Sequence, residues 1–149
     1  TSLDVPVVKQ TPQRCGQAAL EMVFRYYGAS AQAVREAERA YDPALRGSLV
    51  TDLASAARRV GFQATISTLT SDSLLALLVA GAPPIVLYQN GRPPFTVAHY
   101  GVVTGWNSAQ GSITINDGRA KPRTIQVDDF VRRWQTAGSL ALVIRPEQP

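Results

Sequence analysis

The sequence predicts an α+β domain in which a helical layer packs on a largely antiparallel β-sheet. Three observations lead there. Apolar residues in the first half recur at the spacing of amphipathic helices. The second half breaks into short runs rich in Val, Ile, Thr and Tyr, separated by Gly, Pro and Asn, which is the pattern of strands. The length of 149 residues, 45% of them hydrophobic, suits one ordinary domain, expected to span 1–149.

The elements follow in order. Pro6 and Pro12 keep the first segment extended, and Val5, Val7 and Val8 give it apolar contacts, so it reads as an arm packed on the body. Cys15, Ala18, Ala19, Met22, Val23 and Tyr26 share one helical face, and Gly28 supplies the stop. Residues 31–40 form a second, more polar helix. Residues 49–60 form a third, with Leu49, Leu53, Ala56, Ala57 and Val60 on its buried side and Gly61 at its end. After a strand at 62–67, Ser71 and Asp72 cap a fourth helix over 74–79, closed by Gly81 and a Pro83-Pro84 break. Strands are predicted at 85–89, 97–105, 112–117, 123–127 and 140–144, with a hairpin loop at 107–111 and a short helix at 129–134.

Composition removes several function classes. No apolar run approaches the roughly 20 residues of a membrane span. The net charge is +4, but only Arg58-Arg59 and Arg132-Arg133 are adjacent basic pairs, with no aromatic interleaving, so the basic residues read as solvated helix faces and no nucleic-acid partner is expected. One cysteine excludes an internal disulfide, and with one histidine it cannot furnish a usual zinc site, so no metal or cofactor is expected. The chain opens on Thr1 without an initiator methionine, and 145–149 reads as the start of a proline-containing linker. It is therefore expected to be cut from a longer chain with further domains.

The single cysteine and the single histidine carry the chemistry. Cys15 follows Gln10-Thr11-Pro12-Gln13-Arg14 at the mouth of the first helix, where free N–H groups and the helix dipole lower a thiol pKa. Its competing reading is a small buried hydrophobe. Gly16, with no side chain, is expected to leave room beside the sulfur for a substrate backbone. His99 lies in Val97-Ala98-His99-Tyr100-Gly101-Val102-Val103, a run apolar enough to be buried, where an ionisable ring needs a partner. On the strand ending Ile113-Thr114-Ile115-Asn116-Asp117, the period of two sends Asp117 to the apolar face with Ile113 and Ile115. Its carboxylate could accept the second imidazole N–H and fix the ring, although Asn-Asp-Gly is also a good turn and Asn116 could serve instead. Gln10 could donate to an oxyanion together with the Cys15 N–H, with Gln13 and Gln17 as competing amides.

Together, Val5-Pro6, Gln10-x4-Cys15-Gly16-x-Ala18-Ala19-Leu20, Tyr26-Tyr27-Gly28, His99 to Gly105 and Asn116-Asp117 resemble the C39 and C39-like family of bacterial cysteine peptidases. The resemblance spans most of the chain. It implies a papain-like fold, with Cys15 as nucleophile, His99 as base and then acid, Asp117 as orienter and Gln10 as oxyanion donor. It also implies a peptide or protein substrate, cleavage of leader peptides in transporter-attached members, and a bacterial envelope setting. Two residues depart from the family's habit, Arg14 where an acidic residue is frequent and Gln17 where proline is often seen, and both are expected to line the substrate region. Peptide-bond hydrolysis is the leading expectation. Amide or isopeptide transfer, and a silent peptide-binding module on a peptidase scaffold, are the alternatives.

Overall fold

A computed structural model describes residues 1–147. A 3₁₀ turn at Pro12–Arg14 leads directly into helix α1 at Cys15–Tyr26. Helix α2 covers Ala31–Glu36 and continues as a 3₁₀ segment, Ala37–Ala40, where one longer helix was predicted. Helix α3 is Val50–Arg59, strand β1 Phe62–Thr68 and helix α4 Ser71–Val79. Strands β2 (Ile85–Arg92), β3 (Phe95–Asn107), β4 (Ser112–Asn116) and β5 (Arg123–Gln126) precede helix α5 (Val127–Thr136) and strand β6 (Leu140–Pro146).

The six strands make one antiparallel sheet in the order β1-β6-β2-β3-β4-β5. Its two faces bury separate cores. On one face α1, α2 and α3 pack against Ile85, Val102, Leu142 and Ile144. On the other, Leu74 and Leu78 of α4 and Phe130 and Trp134 of α5 cover Val86, Tyr88, Val103, Ile113 and Ile115. Helix α1 is enclosed more fully than its single apolar stripe predicts: Gln17, Leu20 and Phe24 are buried as well, and Phe24 stacks on Phe62 of β1 at 5.1 Å between ring centroids. An apolar residue on nearly every side marks a central helix, which period alone cannot distinguish from a half-exposed one.

Several local expectations change. Thr70, not Ser71 or Asp72, caps α4, its hydroxyl accepting from the Ser73 N–H at 3.2 Å. Leu49 stands just before α3 in extended conformation, so it leaves the helical face and is 53% exposed. Arg145 and Pro146 belong to β6, paired with Gln63 and Phe62, rather than to a linker; Gln148 and Pro149 lie outside the described residues. The run at 97–103 is buried only from Tyr100 onward, because β2 meets β6 only at Ile85 and Val86, and β4 meets β3 only from Val102. Beyond those points the β2–β3 hairpin continues with no further strand beside it among the described residues, and its outer end leaves Phe95 85% and Val97 71% exposed. Among the described residues no helix is long and apolar enough to cross a membrane.

The N-terminal arm straps this sheet. Leu3 donates its N–H to the Thr104 carbonyl, Trp106 donates to Thr1, and Gln10 donates to Gly118 at 2.9 Å, so the arm runs from β3 to the loop after β4.

Candidate active site

Cys15 is the first residue of α1 and is buried, 8% exposed, with its sulfur turned to the sheet. The Tyr100 N–H on β3 donates to Sγ at 3.4 Å, and the thiol and the His99 imidazole interact closely enough for each to shift the other's pKa. Burial alone pushes the thiol pKa up. The bond to His99, the charge of that ring, and main-chain donation from Tyr100 and Gly16 outweigh it and hold the thiol below its ordinary value. For His99 burial acts downward, and the Cys15 bond and charge, the Asp117 carbonyl and the Asp117 charge outweigh it, so the imidazole stays protonated above its ordinary range. The two shifts favour one state, a thiolate beside an imidazolium.

The ring's tautomer follows from its other contact. His99 Nε2 lies 2.8 Å from the main-chain carbonyl oxygen of Asp117. A carbonyl only accepts, so Nε2 carries a hydrogen and Nδ1 is left for the sulfur. Here the structure departs from the expected carboxylate contact. Asp117 lies one residue past β4, where the chain turns into Gly118 at φ +89°, and the main chain rather than the side chain turns toward His99. The side chain keeps the parity of Ile113 and Ile115. Its fully buried carboxylate accepts through Oδ2 from the Tyr88 hydroxyl at 3.4 Å and from Arg123 at 3.3 Å, with Arg119 at 3.5 Å, while Oδ1 has no partner among the described residues. Burial holds the Tyr88 phenol well above its ordinary pKa, so it remains a donor. Asn116 points away and donates to the Val5 carbonyl at 3.2 Å, which fixes the arm rather than the imidazole.

The three glutamines separate by their partners. Gln17 is buried and accepts from Arg14 at 2.9 Å, and Gln13 accepts from the Tyr41 hydroxyl at 3.4 Å. Gln10 faces the cleft, and among the described residues its side-chain amide has no hydrogen-bond partner. The Cys15 N–H, expected as a second oxyanion donor, already donates to the Pro12 carbonyl of the 3₁₀ turn.

Two further expectations are corrected. A Cβ on Gly16 would sit 3.0 Å from Ser48 Cβ and 3.1 Å from Tyr100 Cδ2, so the missing side chain admits this chain's own loop, not a substrate. Arg14 lies 3.9 Å over the Tyr41 ring and holds Gln17, which makes both departures from the family's habit packing residues behind the cleft.

Sulfur and imidazole open on a cleft of about 920 Å³. Ser48 and Leu49 line the side toward α3, and Phe95, Val97 and Ala98 the side toward the hairpin. Sequence reasoning missed these lining residues. Exposure of Leu49, Phe95 and Val97 is a tertiary property, and an apolar letter in a helix or strand pattern reads first as core. Tyr88 and Arg123 were missed for a related reason, because they reach Asp117 from other strands.

The chain matches the model described as the peptidase C39 family over residues 4–148. No curated protein matches it. Among solved structures, the peptidase domain of Streptococcus ComA, a bi-functional ABC transporter involved in a quorum sensing pathway, is 23% identical with a TM-score of 0.74, over 95% of this chain and 98% of that one. A double glycine motif protease from an AMS/PCAT transporter, in complex with the leader peptide, is 22% identical at TM-score 0.74, over 98% of this chain and 94% of that one. A C39-like peptidase from Bacillus anthracis is 17% identical at TM-score 0.76, over 98% and 96%. The six-stranded antiparallel sheet with helix α1 packed on it is thus the papain-like fold of those domains.

Proposed function

The chain belongs to the peptidase C39 family and is a cysteine peptidase domain, and from that premise we propose that it hydrolyses peptide bonds with Cys15 as nucleophile and His99 as acid and base. The observation that carries this is the interacting Cys15 and His99 pair, with opposed pKa shifts, lining one open cleft. The thiolate attacks the scissile carbonyl carbon and forms a tetrahedral oxyanion. Gln10, whose amide is uncommitted, donates to that oxygen. The imidazolium gives its Nδ1 proton to the leaving amine as the carbon–nitrogen bond breaks, leaving an acyl-enzyme. Neutral His99 then takes a proton from water, the hydroxide displaces the sulfur, and the thiolate and imidazolium return together. Asp117 takes the orienting role through its carbonyl, which holds Nε2 while Nδ1 shuttles the proton.

The substrate is a peptide or protein segment drawn through the cleft in extended form, and a leader segment is one such substrate, as in the AMS/PCAT relative. Mass spectrometry of a mixed peptide library incubated with the wild type and with Cys15→Ala tests this. Cleavage by the wild type alone supports the proposal. Peptides bound by both and cut by neither would replace it with the binding module, and acyl groups passed to added amines but never to water would replace it with a transferase.

A further inference from the structure

Behind the imidazole lies a buried polar unit that the reaction does not touch directly. The Asp117 side chain is completely buried, and Arg123 is its nearest charged partner at 3.3 Å. The same guanidinium nitrogen donates to Asn90 Oδ1 at 3.0 Å. Asn90 sits on the projecting half of β2, paired with Val97, and two residues along the hairpin stands the pair Tyr88 and His99. The Tyr88 ring meets the His99 ring edge-on at 5.8 Å. One cation therefore ties together the residue whose carbonyl orients His99 and the hairpin that carries His99.

Resting on the reaction proposed above, we infer that Arg123 is a positioning residue, which fixes the distance between His99 and the Asp117 carbonyl by bridging the Asp117 carboxylate to Asn90. Three features support a role beyond neutralising a charge. Among the described residues the outer hairpin has no strand beside it, so beyond the packing of Tyr88 on Phe130 its placement depends on side-chain tethers: this one, and Arg133, which donates to the Gln89 and Gly91 carbonyls. Asp117 Oδ1 has no partner among the described residues, so the whole carboxylate is held through Oδ2, the oxygen Arg123 meets. Arg119, the other cation at Oδ2, is the more exposed of the two, at 59% against 31%, and is 3.5 Å away. A planar guanidinium can serve two acceptors at fixed separation, which a lysine ammonium on its flexible stem does poorly.

The test is the pH dependence of iodoacetamide alkylation of Cys15, followed with the ultraviolet absorbance of the thiolate, in wild type, Arg123→Met, Arg123→Lys and Asn90→Ala. Iodoacetamide needs no peptide subsite, so a changed cleft wall does not enter. Arg123→Met should slow alkylation at neutral pH about tenfold and move its acid limb upward, as expected when a catalytic pair is displaced by a fraction of an ångström. Arg123→Lys should recover only part of the rate, because charge alone does not restore the bridge. A profile for Arg123→Met that superimposes on the wild type, even with a lowered melting temperature, would show a merely structural arginine and overturn the inference. Should Arg123→Met fail to fold, Asn90→Ala decides, since it keeps the Asp117 ion pair: about threefold slowing supports the bridge, and no change overturns it. A wild type lacking thiolate below the pH of a free cysteine would instead defeat the reaction proposed above, so the two failures are distinct.

Discussion

The two walls of the cleft are held in opposite ways. The thiol stands on a helix buried on nearly every side, entered through a 3₁₀ turn and wedged against Ser48 and Tyr100 by a glycine. The imidazole stands where a hairpin leaves the sheet, half-buried, with exposed Phe95 and Val97 beyond it and two arginines as tethers. Packing positions the thiol, and polar bonds hold much of the imidazole's side. Damage on the helix side should therefore appear first in stability, and damage on the hairpin side in rate.

The largest effect breaks the comparison at its centre. Cys15→Ala should abolish turnover, a loss of about a millionfold for a residue that acts as part of a unit. Its unfolding free energy should stay within about 1 kcal/mol of the wild type, since only one sulfur atom bordering the cleft is removed. Peptide cleavage kinetics and chemical denaturation measure the two. Residual turnover above a hundredth would mean another nucleophile.

Next in size is His99→Ala. The lowered Cys15 pKa lets the wild-type thiolate persist below the roughly 8.5 of a free thiol, and the raised His99 pKa keeps its imidazolium above the ordinary histidine range. Alkylation should accordingly stay fast as the pH falls from about 8.5 toward neutral, then decline when the thiolate is protonated. Without the ring, the rate at neutral pH should fall about a hundredfold and the profile should revert to that of an isolated thiol. An unchanged profile would mean that the helix mouth alone activates the sulfur.

Gly16→Val sharpens the helix side. Its new side chain would meet Ser48 and Tyr100, and such overpacking costs about 1–3 kcal/mol, read as a lower melting temperature. A variant as stable as the wild type would show that the Ser48 loop yields easily. Phe95→Ala is the smallest. Stability should change by no more than about 0.5 kcal/mol at so exposed a position, while KM for a cleaved peptide should rise a few-fold if the hairpin forms a substrate wall. An unchanged KM across a peptide set would remove Phe95 from recognition.

The same contrast explains what the sequence made legible. Local features came through: the start and stop of α1, the strands of the second half, and the placement of the Asp117 side chain by strand parity. What depended on how far a neighbour reaches did not. Val97 and Phe95 look like core because no local signal tells where β4 ends relative to β3. Leu49 fits the helical period of α3 yet precedes its first turn. Parity sent the Asp117 side chain to the apolar face, but it could not reveal that Tyr88 and Arg123 wait there and that the carbonyl turns to His99 instead. Gly16 was read as an opening because its filler, Ser48, lies on a separate loop.

The arm that straps the sheet has a consequence for the order in which the protein is made. Synthesis delivers Cys15 before Tyr100, which donates to its sulfur and follows 85 residues later, and Asn116, which pins the arm at Val5, lies 111 residues further along than its partner. Contacts of such separation form late in folding, after the loops between them have closed. A nascent chain thus carries an unactivated thiol until the sheet is nearly whole. The contacts that lower the thiol's pKa arrive together with the completed sheet.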